Sequence, residues 1–197
     1  MKFHKLAFTV TLMLSTTVAL AADSAGTFAV KGAGLSQCSK FVAVAKSEDQ
    51  AALSNYVGWI AGFITASNQH SSETFDLAPW QSIRTLTLAL VNHCDRNADM
   101  RFGEAVVRMA ASLQTTRLRE KSELLPIEHE GRKHYVYKET VRRMQVRLQT
   151  LGLYGGALDG QFSEATMLAL KKFQTEKEIT ASGFPDQKTM FELSRNP

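Results

Sequence analysis

The chain has 197 residues, enough for one medium-sized domain or two small ones. Its 23 basic and 19 acidic residues give a formal net charge of +4 and a sequence pI of about 9.1. Lysine and arginine do not cluster with aromatic residues anywhere along the chain, so the composition lacks the basic stripe that is typical of nucleic-acid binding.

The first 21 residues have the pattern of a secretory signal peptide. Lys2 and Lys5 precede an uncharged apolar run over residues 6–20, and Ala19-Leu20-Ala21 provides small residues for cleavage. A membrane anchor is the alternative, but the run is shorter than the ~20 residues of a spanning helix. Cleavage leaves 21 basic against 19 acidic residues and predicts a soluble, exported protein, in a periplasm rather than on an outer surface.

Only two cysteines are present, Cys38 and Cys94. In an oxidising compartment an even number of cysteines predicts a disulfide. A catalytic thiol is the alternative, because His93 is adjacent to Cys94. Neighbouring residues on a helix point about 100° apart, so His93 is badly placed to act as a base, and we expect the disulfide.

Residues 22–116 are predicted to form a bundle of four helices. Ser36 is expected to cap a short first helix, residues 47–49 open the second, Asp76 and Pro79 open the third, and the fourth follows Asp99. Apolar residues recur at three- and four-residue steps on the predicted inner faces, and the clearest are Leu53, Tyr56, Ile60, Phe63, Ile64, Ile83, Leu90, Phe102, Val106, Met109 and Leu113.

Gly58 and Gly62 lie one turn apart in the predicted second helix. Since each glycine costs a helix about 1 kcal/mol relative to alanine, we expect a second backbone to approach this helix closely, beside Cys38.

A short pattern in this first region consists of Cys38, the segment Tyr56-Val57-Gly58-Trp59-Ile60-Ala61-Gly62, and Cys94 after an apolar helix. Over this pattern the region resembles small periplasmic helical proteins grouped around acid-stress chaperones and the immunity proteins of type VI secretion toxins. The resemblance implies an interaction with an envelope protein partner and assigns no binding residue.

Residues 117–137 are charged and aperiodic, with Pro126 and Gly131 as breakers, and are predicted to be a linker. His129-Glu130 and His134 raise the alternative of a zinc site. Zincin histidines are four residues apart so that both lie on one helix face, whereas these are five apart, and no metal or other cofactor is expected.

Residues 138–197 are predicted to contain three short helices joined by two loops. Gly152 ends the first helix as a left-handed C-cap, Ser163 caps the second, and Pro185 and Asp186 precede the third. Gly155, Gly156 and Gly160 are expected to supply positive φ angles in the first loop, and Phe162 and Phe173 to fill the core. With the bundle of residues 22–116, this makes the predicted fold class all-α.

An ordered set of glycines, aromatic residues and aliphatic residues spans this tail. It consists of Val141, Gln145, Leu148, Leu151-Gly152-Leu153-Tyr154, Gly156, Leu158-Asp159-Gly160, Phe162, Thr166, Ala169-Leu170, Phe173-Gln174, Ile179, Gly183, Asp186, Thr189 and Leu193. With these residues the tail resembles the peptidoglycan-binding domain, a three-helix module attached to many cell-wall hydrolases and envelope proteins. It departs from the family at Ser163, where the family usually has glycine, and at Ile179, where it usually has leucine. The resemblance implies a three-helix fold and peptidoglycan as the ligand.

Peptidoglycan presents apolar sugar faces, N-acetyl groups and peptide carboxylates, so its binder needs an aromatic platform, hydrogen-bonding groups and positive charge. The predicted ligand-binding residues are Tyr154, Asp159, Gln161, Lys172 and Gln174. For each there is a structural alternative: Asp159 and Gln174 are suited to bracing the loop and helix ends, Tyr154 to the core, and Lys172 to a solvated helix face.

Catalysis is not expected, because the acids of the first region, such as Glu73, Asp76 and Glu104, show no pattern of a paired-carboxylate, metal or nucleophile site. The sequence therefore predicts a non-catalytic envelope protein that binds peptidoglycan and tethers a small helical domain to the wall. Two alternatives stay open: a chaperone or immunity-type protein that uses the module for localisation, and a wall hydrolase.

Overall fold

The computed structural model describes residue 23 and residues 26–195. The predicted signal peptide lies outside these residues. The elements of the described part are a 3-10 helix, Gly32–Leu35, followed by α1 Cys38–Ala45, α2 Gln50–His70, α3 Ile83–Asp95, α4 Phe102–Leu113, β1 Leu124–His129, β2 Arg132–Tyr137, α5 Lys138–Thr150, α6 Glu164–Glu176 and α7 Gln187–Ser194.

The first four α-helices form a bundle around an aromatic cluster. Phe41, Tyr56 and Phe102 are buried, with ring centroids 4.6–5.1 Å apart. The predicted disulfide is confirmed: Cys38 of α1 is bonded to Cys94 of α3, and both are fully buried. Because the bond closes a loop between residues 56 apart in sequence, its chain-entropy contribution is about 4 kcal/mol.

The close backbone approach occurs at other glycines than predicted. A Cβ on Gly58 or Gly62 would meet no atom within 4 Å, so the expected packing at these positions is wrong. Instead a Cβ on Gly34 would collide with the ring of Trp59, and one on Gly103 would lie 2.9 Å from the carbonyl oxygen of Gly34. These two glycines let the 3-10 helix pack directly on α2 and α4.

The third helix also begins later than predicted. Ser82 is its N-cap and accepts a hydrogen bond from the Thr85 amide. Residues 76–82 form a connection with bends at residues 77–80, in which Asp76 pairs with Leu118 as an isolated β-bridge and the Ala78 amide donates to the Asp76 side chain. Asp76 therefore starts a turn and not a helix.

Residues 124–137 of the predicted linker form a β-hairpin. β1 and β2 pair antiparallel from Leu124 opposite Tyr137 to His129 opposite Arg132. Glu130 and Gly131 turn between them with φ angles of 50° and 72°, as a two-residue turn of the type I′ family requires. The all-α prediction is thus confirmed for the mainly helical character and corrected by this two-stranded sheet. Ile127 of β1 is buried.

The last three helices form the predicted three-helix module with a core of its own. The prediction is confirmed at Gly152, which has a φ of 73°, and at the caps Ser163 and Asp186. The buried core consists of Val141, Met144, Leu148, Tyr154, Ala169, Leu170, Phe173, Met190 and Leu193, with Phe162 packed against it.

The module and the bundle are in direct contact. Trp80 packs against the module core, and the Gln187 side chain donates to the Trp80 carbonyl oxygen at 2.6 Å while accepting from the Ser82 amide at 2.8 Å. Arg143 of α5 donates to the carbonyl oxygens of Thr116 and Arg117 at 2.6 and 3.1 Å. These hydrogen bonds join the module to the bundle on either side of the hairpin, and the predicted domain boundaries stay predictions.

Candidate functional site

The glycine-rich loop between α5 and α6 is the candidate binding surface. A fully buried side chain, Gln145, holds it in place. The Oε1 atom of Gln145 accepts from the Gly160 amide at 2.9 Å, and its Nε2 atom donates to the Gln161 carbonyl oxygen at 2.9 Å. One side chain of α5 therefore fixes the loop just before α6 begins.

The second loop, between α6 and α7, is held in the same way by Gln174. This side chain is also fully buried; it accepts from the Gly183 amide at 2.7 Å and donates to the Phe184 carbonyl oxygen at 2.9 Å. It also donates to the Thr189 hydroxyl at 2.9 Å. The predicted ligand residue Gln174 thus lies inside the module with its amide engaged by the protein.

Tyr154 is likewise a core residue, with 7% of its surface exposed. Its hydroxyl donates to the Ala157 carbonyl oxygen at 2.8 Å, which closes the loop from inside. A Cβ on Gly156 would lie 2.6 Å from that hydroxyl. Glycine is needed at position 156 because a side chain there would collide with Tyr154. The predicted positive φ angles are confirmed for Gly160 and are wrong for Gly155 and Gly156.

Three predicted ligand residues are exposed: Asp159, Gln161 and Lys172. The Asp159 carboxylate accepts from the Gln161 amide at 2.9 Å and from Gln145 Nε2 at 3.3 Å. These hydrogen bonds, the one from the Gln161 backbone foremost, hold the pKa of Asp159 below its usual value, with a smaller contribution from nearby Lys138. The carboxylate is therefore an exposed anion at the loop edge.

Asp159 borders a cavity of about 530 Å³ between the start of α5 and residues 118–123. Glu139 in its wall accepts from Arg142 at 2.7 Å and from Arg143 at 3.1 Å, and the hydrogen bond from Arg142 is the main cause of its lowered pKa. Both signs of charge line this cavity, so it is suited to a polar ligand that carries amides or carboxylates. Lys172 is not among its lining residues.

Sequence analysis left a ligand-binding and a structural interpretation open for Tyr154 and Gln174, and the structure favours the structural one for both. One signal was present: each loop has a glycine followed three residues later by a helix cap and six residues later by a threonine. Gly160, Ser163 and Thr166 repeat as Gly183, Asp186 and Thr189. The repeat marks the two loops as equivalent, but it does not locate the glutamines that brace them, because Gln145 is 15 residues before Gly160 and Gln174 is 9 residues before Gly183.

Among the described residues, no group of three histidine, cysteine, aspartate or glutamate side chains is arranged to hold a metal ion. None of the helices in that same part of the chain has the length and apolar character to cross a membrane.

Residues 137–193 match the model of the family described as "Putative peptidoglycan binding domain". The match begins at the last residue of β2 and ends in α7, so it covers the three helices and both braced loops. The resemblance found in the sequence is confirmed for this module, which belongs to that family. Neither the search of curated proteins nor that of solved structures gives a match to the chain.

Proposed function

We propose that this protein is an exported, non-catalytic component of the bacterial envelope that binds peptidoglycan through residues 137–193 and holds the helical bundle against the wall. The observation that carries the proposal is the family match over a complete, well-packed three-helix module. The signal-like pattern of residues 1–21 and the disulfide support a periplasmic location.

The loop surface is the proposed contact with the polymer. Asp159 and Gln161 offer an acceptor and an amide at its exposed edge. The exposed Lys172 of α6 is proposed as a further, positively charged contact. Tyr154 and Gln174 act from inside by fixing the loop conformations. A loop that is ordered before binding loses less conformational entropy when the ligand arrives, which favours affinity.

Retention of the protein on purified sacculi tests the proposal. We expect the chain of residues 22–197 to sediment with sacculi and the double variant Gln161→Ala/Lys172→Gln to bind at least fivefold more weakly, since it removes two polar contacts. The matched control is Gln149→Ala/Lys188→Gln, which removes the same groups from exposed positions on α5 and α7. Absence of sedimentation by the unsubstituted chain would refute wall binding.

The same sacculi test the proposal that the protein does not hydrolyse peptidoglycan. After incubation of sacculi with the pure protein, we expect no soluble muropeptides above the level of a protein-free sample. Their release would show a wall hydrolase. The envelope protein partner of the bundle stays a prediction.

A further inference from the structure

A second cavity system lies where the bundle meets the module. One cavity of about 500 Å³ and one of about 300 Å³ share four lining residues and therefore adjoin each other. We call the two together the junction groove; the shared residues are Pro79, Trp80, Thr140 and Met190. Pro79 and Trp80 come from the connection before α3, and Thr140 and Met190 come from α5 and α7, so the groove exists only because the two parts are docked.

Three residues that line the junction groove carry a buried side-chain polar atom without a hydrogen-bond partner. Within the described part of the chain, four buried side-chain polar atoms lack a hydrogen bond, and three of them belong to these residues: Gln81 Oε1, Thr140 Oγ1 and Arg147 Nε. Thr140 is 3% exposed. An unsatisfied buried polar group costs about 1–3 kcal/mol, so three such residues around one groove favour a polar occupant there.

The positions of the charged and polar groups along the groove indicate which end of a ligand is anionic and which is cationic. Thr140 and Arg147 lie seven residues apart on α5, on one face of the helix and about 10 Å apart along its axis. That distance equals about three residues of extended peptide. The Arg147 end offers a guanidinium to an anion, while the other end has the Gln81 oxygen and the carboxylates of Asp76 and Asp186 in its walls.

Between the two ends the groove is apolar. Trp80, Pro79 and Met190 line it there, and Met144 and Leu193 add to the wall beside Arg147. Such a surface accommodates small aliphatic side chains.

We propose that the junction groove binds the end of a peptidoglycan stem peptide, with its terminal carboxylate at Arg147, its alanine methyl groups against Trp80 and its diamino-acid ammonium toward Asp76 and Asp186. This inference rests on the proposed function and adds to it a ligand site built jointly by the bundle and the module. A protein C-terminus has the same carboxylate chemistry with L-residues, and the test separates the two sources.

Titration of the chain of residues 22–197 with the tripeptide L-Lys-D-Ala-D-Ala, followed by the indole N–H signal of Trp80 in NMR spectra, tests the proposal. We expect saturable shifts of this signal, and no saturation with the C-terminal amide of the same peptide, which lacks the anion. L-Lys-L-Ala-L-Ala is expected to bind at least fivefold more weakly. Equal or tighter binding of the L-peptide would overturn the assignment to the wall.

Variants locate the contact. Arg147→Gln is expected to raise the Kd for the D-peptide about tenfold or more, since it removes a charge-assisted hydrogen bond. Lys188→Gln removes one positive charge from an exposed position of α7 that does not line the groove, and is expected to leave the Kd within twofold. Equal effects of the two variants would overturn the site.

The peptide titration and the sacculus sedimentation can fail independently of each other. Sedimentation with sacculi but no binding of the D-peptide would refute the junction site and leave the proposed function intact. Binding of the D-peptide without sedimentation would support the groove and refute wall binding as the function.

Discussion

Two buried glutamines are the residues on which the shape of the module depends. Gln145 and Gln174 lie on successive helices, each is fully buried, and each accepts from the amide of a glycine with positive φ, Gly160 or Gly183. A buried amide that satisfies both its donor and its acceptor specifies one loop conformation, because any other leaves polar groups without partners.

Replacement of Gln145 by alanine should therefore destabilise the protein by about 2–4 kcal/mol, through the unsatisfied amide of Gly160 and the cavity left behind. Denaturant unfolding followed by circular dichroism measures this. Gln149→Ala, one turn further along α5 at an exposed position, should change stability by less than about 0.5 kcal/mol. A loss below 1 kcal/mol for Gln145→Ala would contradict the bracing role.

Asp159 provides a prediction for pH. Its pKa in the folded protein is lowered, chiefly by the hydrogen bond from the Gln161 amide, below the value of 3.8 expected for the unfolded chain. Its ionised form therefore stabilises the folded state above pH 3.8, and this contribution is lost as the pH falls through the folded-state pKa.

The free energies of unfolding of the native protein and of Asp159→Asn, measured between pH 6 and pH 2, test whether the ionised carboxylate stabilises the fold. The native protein should be the more stable of the two at pH 6, and the difference should shrink toward zero as the pH falls. A difference that stays constant over this range would show that the charge of Asp159 does not contribute.

Helix caps could be predicted from the sequence more reliably than the burial of individual side chains. The caps Ser163 and Asp186 and the C-cap Gly152 were found because each depends on a few neighbouring residues. Whether Tyr154 and Gln174 face the solvent or the core depends on how three helices pack, and a single chain position does not reveal it.

At the scale of elements, the hairpin is the main feature that sequence analysis missed. In the sequence, Pro126 and Gly131 favour a linker, because both residues interrupt regular elements. In the structure Pro126 lies in a strand of a two-stranded sheet, where a missing amide is tolerated, and Gly131 forms the turn. The alternation that marks a strand is weak here, since Ile127 is its only fully buried apolar residue among those described.

The turn residue gives a test of this hairpin. Gly131 has a φ of 72°, so Gly131→Ala should cost about 1–2 kcal/mol through left-handed backbone strain, although no atom lies within 4 Å of the new Cβ. Gly155→Ala is the matched control, because Gly155 also has open space but no positive φ. Equal effects of the two substitutions on the free energy of unfolding would contradict the turn.

The docking of the module on the bundle could not be predicted from the sequence. Gln187 contacts Trp80 and Ser82, more than a hundred positions earlier in the chain, and no local pattern encodes such a pairing. Residues 117–137 therefore appeared as a spacer when only their composition was considered. The consequence for function is that a wall-bound module would present the bundle in a fixed orientation.

The contacts of Gln187 allow this docking to be tested. Since its side chain hydrogen-bonds the connection before α3, Gln187→Ala should weaken docking by about 1–2 kcal/mol and accelerate hydrogen exchange of residues 76–85 by about tenfold. Exchange in α1, which the disulfide anchors to α3, should stay unchanged, as should all exchange in the neighbouring control Lys188→Ala. Uniform acceleration over the whole chain would instead indicate global destabilisation, and no acceleration at residues 76–85 would show that the module is held on the bundle without Gln187.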